Sequence, residues 1–238
     1  MNEWANEEIL LNPEEIAKLA FENYHRALQY VSSVDGEISH EVICEIHSRC
    51  MGGLLPDNAT GRYRTLNVGI SRSSRTPPPW ERVEDLMTGF LEELNGRLSK
   101  CSRSLNDLPF LIETIAFALY VFERIHPFED GNGRVGRLFC DLIAKRFGIR
   151  PIIIWPSERE EYIKALEAVN RSGNLAHLTL FLAGQFLKRY PENQSGHNQK
   201  IREVLEGIIK IQKEKINSQK DKREEREIWK GFADPCFD

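Results

Sequence analysis

Residues 126–137, HPFEDGNGRVGR, bring a histidine, two carboxylates, three glycines, an asparagine and two arginines into twelve positions. Gly131 and Gly133 permit a tight turn with exposed N–H groups, and residues 134–147 read as a helix with Leu138, Phe139, Leu142 and Ile143 inward. A glycine turn that opens a helix offers unpaired N–H groups and about half a positive charge, which suits a phosphate. Arg134 and Arg137, three apart, add charge on one helical face. Asp130 beside that seat repels phosphate unless it holds a hard cation such as Mg²⁺, and His126 is left free to act as a base. A glycine turn joining two helices is the bland reading of the glycines taken singly.

The element that must position this stretch is the apolar run of residues 108–125, LPFLIETIAFALYVFERI, which has helical spacing, Asp107 as a cap and Pro109 in its first turn. Glu113, Glu123 and Arg124 interrupt it, as suits a core helix and not a membrane span. Pro127 ends the helix and biases His126 toward an extended backbone.

The twelve residues match HxFx(D/E)GNGRxxR at every fixed position, and over roughly residues 35–190 the chain resembles the Fic family. The resemblance implies an all-α fold, a Fic-type helical bundle with a short β-hairpin flap, and Mg²⁺-dependent transfer of AMP from ATP to a Ser, Thr or Tyr hydroxyl of a target protein, with release of pyrophosphate. It implies that His126 deprotonates the hydroxyl, Phe128 anchors the loop in the core and Asp130 binds Mg²⁺. Gly131, Asn132 and Gly133 would cradle the phosphates and Arg134 and Arg137 would hold the outer ones. Asn170 falls where the family places a polar contact to adenine, with Tyr162 on the same helix. The flap would be Leu66, Asn67, Val68, Gly69 and Ile70, whose open edge pairs with the target backbone by β-augmentation. Two alternatives stay open: transfer of UMP, GMP or a phosphoryl group from the same site, and a module that binds nucleotide without turnover.

Composition sets the frame. With 238 residues, 41% hydrophobic and 29% charged, the chain can bury a full core. A net charge of −4 supplies no basic field for nucleic acid. Five cysteines without a CxxC pair, and a start, MNEWANEE, without signal-peptide order, fit a reducing cytoplasm. Asn12, Pro13 and Glu15 start a helix that presents Ile16, Leu19, Ala20, Tyr24, Ala27 and Leu28 as one stripe, so residues 1–34 form an N-terminal helical element on a domain of residues 35–190. A helix from Ser39 carries His40, Cys44, His47 and Cys50, but His40 and Cys50 lie about 15 Å apart along its axis, too far to share one zinc ion, so these side chains brace the core and its loops. Residues 62–70, RYRTLNVGI, read as a short strand or hairpin arm, with Arg62 and Arg64 satisfied by internal carboxylates. Ser157 and Glu160 suggest a capping box, Asn174 caps the last core helix, residues 191–199 read as a linker and residues 200–238 as an amphipathic helix with a charged tail.

Control is the last expectation. Many family members carry a helix with (S/T)xxxE(G/N), whose glutamate pairs with the second motif arginine. Ser33 and Glu37 have the spacing but Ile38 follows; Glu206-Gly207 supplies the second half with Arg202 in the Ser/Thr place. A docked C-terminal helix would bring Glu206 to Arg137; otherwise the site is open, or a separate antitoxin-like partner restrains it.

Overall fold

The computed structural model describes residues 11–70, 75–193 and 195–218. These form eight α-helices: α1 (Pro13–Ser33), α2 (His40–Met51), α3 (Val83–Leu98), α4 (Leu108–Ile125), α5 (Asn132–Arg146), α6 (Arg159–Ser172), α7 (Ala176–Lys188) and α8 (His197–Ser218). The bundle is organised around α4, which packs against α3, α5, α7 and α8. Ile112, Ile115, Phe117, Leu119 and Phe122 are fully enclosed, each burial worth about 1.5–3 kcal/mol. By length and hydropathy alone this helix could cross a membrane; here its apolar faces meet other helices. On the far side, α1 and α2 pack together and both reach α5, so α5 lies between two layers with the loop 126–131 at its head.

Local signals explain most boundaries. Asn12 accepts from the amides of Glu14 and Glu15 while the Glu15 carboxylate accepts from the Asn12 amide, a complete capping box. The buried line of α1 is Asn23, Ala27 and Val31, rotated from the expected stripe, and Ile16 stands 42% exposed. Ser39 caps α2, and Asn174 accepts from the Ala176 amide at the head of α7. Gly148, at φ 74°, follows α5 in the left-handed region that favours glycine.

Several expectations are corrected. Asp107 does not cap α4 with its side chain but accepts from the Ser102 amide and hydroxyl, bracing the preceding loop. At α6 the Glu158 carboxylate accepts from the Trp155 amide, and Glu160 pairs with Lys164 instead of Ser157: a 3-10 turn at Pro156–Glu158 moves the entry. No strand occurs among the described residues; Leu66, Asn67, Val68, Gly69 and Ile70 are irregular, and residues 71–74 of the expected hairpin lie outside the described set, as do residues 1–10 and the tail from 219. Helix α8 begins at His197, inside the stretch read as a linker. Glu206 pairs with Arg202 at 3.0 Å on α8, not with Arg137, because α8 lies along α7.

Candidate active site

The loop 126–131 joins α4 to α5 and is fixed by four tethers. Phe128 is fully buried, against His47, Tyr63 and Phe122. The Asn132 amide accepts from the Phe128 N–H at 2.9 Å and donates to the Phe128 carbonyl at 2.8 Å. Its side chain therefore closes the loop, and its N–H, at the first turn of α5, is the group that can meet an anion. His47, stacked 3.8 Å from Phe128, accepts from Gly61 at Nδ1 and donates from Nε2 to the Asp130 carbonyl. Burial drives the His47 pKa down to about 4, so the ring is neutral and its tautomer is set by these two bonds. Arg64, 2% exposed, donates to the carbonyls of His126, Leu66, Pro78 and Ile125. Carbonyls at the end of α4, not carboxylates, satisfy it.

At the head of α5, Gly131 sits at φ 80° and supplies no side-chain cap. A Cβ there would lie 2.6 Å from Met51 Sδ, so conformation and space both demand glycine. The amides of Arg134 and Val135 donate to the Gly131 carbonyl, while Asn132 and Gly133 begin the helix and carry its unpaired N–H groups. Arg134 flanks this seat 3.4 Å from Asp130, whose side chain is 68% exposed. Arg137 lies on the inner flank: a methyl group on Gly133 would meet Arg137 Nη1 at 3.5 Å and Glu123 Oε1 at 3.6 Å.

His126 closes α4 in the left-handed region, at φ 50° and ψ 60°, not extended as Pro127 suggested. The Arg64 bonds to the His126 and Ile125 carbonyls account for the departure. This turn points the ring back along α4, where Nδ1 faces the Glu123 carbonyl at 3.4 Å and Glu123 Oε2 at 3.9 Å. Burial, aided by Arg64, lowers its pKa to about 4, so the imidazole is neutral at physiological pH. Among the described residues Nε2 has no hydrogen-bond partner. Chemically the arrangement is a neutral base at the mouth of an anion seat.

Sequence reasoning missed Glu123, read only as a charge in an apolar run. Its carboxylate is largely enclosed and its pKa is raised to about 7, chiefly by burial, with Arg137 and the Tyr162 hydroxyl pulling it back. The usable signal was its position one turn before His126. Tyr162, 6% exposed, packs on Phe181 and turns its hydroxyl to Glu123 Oε1 at 3.4 Å, reaching the site from behind. Asn170 stands apart at the end of α6: its Oδ1 accepts from Tyr120, its carbonyl accepts from Arg75, and its NH₂ meets Glu167 at 3.4 Å. No cluster of three His, Cys, Asp or Glu suited to a metal occurs among the described residues, and His40, expected to brace, bonds to Tyr63 and Thr88.

Residues 37–144 match the model of the Fic/DOC family. The chain is 36% identical over 161 residues to protein adenylyltransferase Fic of Nematostella vectensis, covering 66% of this chain and 35% of that protein. It is 33% identical over 142 residues to protein adenylyltransferase fic-1 of Caenorhabditis elegans, covering 59% and 26%. The chain thus spans about a quarter to a third of the length of these relatives. The solved structure of Fic-1 from C. elegans superposes with a TM-score of 0.62 at 25% identity, covering 86% of this chain and 55% of that one. A Fic-domain protein from Bacteroides thetaiotaomicron shares the fold at TM-score 0.56 and 20% identity, over 84% and 73%.

Proposed function

We propose, on the premise that the chain belongs to the Fic/DOC family through residues 37–144, that it transfers AMP from ATP to a hydroxyl side chain of a target protein and releases pyrophosphate. The observation that carries this is the neutral His126 at the mouth of the helix N-terminus formed by Gly131, Asn132 and Gly133. The amides of Asn132 and Gly133, with Arg134 and Arg137, hold the phosphates by charge-assisted bonds, while the Gly131 amide donates to Asp130. Nε2 of His126 takes the proton of the incoming hydroxyl, which bonds to the α-phosphorus as the bond to pyrophosphate breaks.

Asp130 suits Mg²⁺: the exposed carboxylate beside the seat is the single ligand that such an ion, completed by waters and phosphate oxygens, needs from protein. When bound, the ion neutralises phosphate charge. Asn170, its side-chain Oδ1 held by Tyr120, exchanges its 3.4 Å contact with Glu167 for one from its NH₂ to the adenine, and Tyr162 acts from behind through Glu123. The irregular backbone of residues 66–70 offers the pairing edge for the target, and the site works in a cytoplasmic setting.

ATP labelled at the α- or the γ-phosphate tests the reading. Protein retaining the α-label supports adenylylation. Retention of the γ-label would replace it by phosphorylation, and retention of neither by a nucleotide-binding module.

A further inference from the structure

Glu123 is a carboxylate in a place that is expensive to keep ionised, and the fold makes room for it. Gly136 on α5 faces it: a Cβ there would lie 3.1 Å from Leu119 Cδ1 and 3.4 Å from Glu123 Oε1. Neither Gly133 nor Gly136 is in the left-handed region; at Gly136 an added carbon would crowd Leu119 at 3.1 Å, whereas at Gly133 it would make only ordinary contacts at 3.5 and 3.6 Å. In the room they leave, the Glu123 side chain meets three groups of the site. Oε2 is 3.9 Å from His126 Nδ1, Oε1 is 3.4 Å from the Tyr162 hydroxyl, and Arg137 stands across Gly133.

We propose that Glu123 is the positioning residue of the base: it receives the Nδ1–H of His126, holds the ring in the tautomer with a bare Nε2, and stabilises the imidazolium formed when Nε2 takes the target's hydroxyl proton. This rests on the adenylyl-transfer reading above. The 3.9 Å separation is long for a hydrogen bond and must shorten as the ring takes up charge, while the Glu123 main-chain carbonyl at 3.4 Å holds the ring in register. The same carboxylate, facing Arg137, ties the base to the phosphate end of the site.

Charge supports the assignment. The titratable and charged groups facing Glu123 are His126 on α4, Arg137 and Cys140 on α5, and Tyr162 on α6. His126 is neutral above about pH 4, and burial raises Cys140 and Tyr162 well above their ordinary values. Of these groups only Glu123, at about 7, changes charge between pH 5 and 8. Turnover should therefore rise with pH through about 7 as the carboxylate ionises, while the base form of His126 is already present.

The test uses the full chain labelled with ¹³C and ¹⁵N at histidine, as wild type, Glu123→Gln and Tyr162→Phe. In the wild type the His126 ring should be the Nδ1–H tautomer, with shifts that follow an inflection near pH 7. Glu123→Gln should remove the inflection, mix the tautomers and lower kcat for label from α-labelled ATP about 10- to 100-fold with KM for ATP within about twofold. Tyr162→Phe deletes a bond that favours the carboxylate, so the inflection should move to higher pH in both ring shifts and rate. Identical His126 spectra in Glu123→Gln at every pH overturn the proposal, as does a rise in KM with kcat unchanged or an unmoved inflection in Tyr162→Phe. If the wild type transfers no α-label, the adenylyl-transfer reading fails, and the ring spectra still decide the role of Glu123.

Discussion

The loop 126–131 and the neighbouring stretch 66–70 are both irregular chain beside the same site, yet they are built oppositely. In the loop, Phe128 is sealed in the core, Asn132 uses both ends of its amide on one residue, and His47 and Arg64 fasten the backbone from two other directions. In residues 66–70 the described ties are at the start: Leu66 accepts from Arg64, and Asn67 accepts from the Trp80 amide. Beyond that, Val68, Gly69 and Ile70 take part in no backbone hydrogen bond among the described residues. The contrast is between chain tied from several directions and chain with few ties among the described residues, which is what the proposed roles of the two would need. Electrostatic catalysis requires groups that do not reorganise as charge develops, whereas strand addition requires unpaired backbone. Arg64 joins the two, with one guanidinium bonded to both.

The largest expected effect comes from the rigid side. His126→Asn, which keeps a residue tolerant of the left-handed backbone, should cut transfer by about 10²- to 10⁴-fold, while ATP binding by calorimetry stays unchanged. Loss of ATP affinity in that variant would mean the ring holds phosphate and is not the base. Next is the joint itself. Arg64→Met leaves the carbonyls at the end of α4 without their buried donor and should cost about 2–4 kcal/mol in chemical denaturation, against under about 0.5 kcal/mol for the exposed Arg62→Met.

A pair of glycines sharpens the comparison further. Gly131→Ala meets both positive φ and Met51, and should lose about 1–3 kcal/mol of stability together with ATP affinity; Gly69→Ala, with nothing within 4 Å of its added carbon, should change neither. Equal thermal melting of the two variants would show that the loop is no stiffer than its neighbour. The smallest effect on the molecule alone belongs to Val68→Pro, which removes one backbone donor. Stability should stay within about 0.5 kcal/mol and ATP binding should not move, while modification of a target protein falls. Undiminished modification would remove residues 66–70 from target binding.

The sequence by itself determined the parts whose causes lie within a turn or two of chain. Asn12 with Glu15 sets the start of α1, the apolar period of residues 108–125 sets α4, and Gly131 sets the turn into α5. The motif also carried the resemblance to the Fic/DOC family, whose model matches residues 37–144. Only the tertiary structure decided what those residues touch. His47 reaches Asp130 across 83 positions, Arg64 reaches His126 across 62, and Tyr162 reaches Glu123 across 39. Where local and long-range bonding competed at His126, the long-range bond won: biased to extended by Pro127, it is left-handed where Arg64 binds its carbonyl. Periodicity and caps report forces acting over four residues. A buried polar group is satisfied by whatever donor the packing of helices brings to it, and that partner carries no mark in the neighbouring sequence.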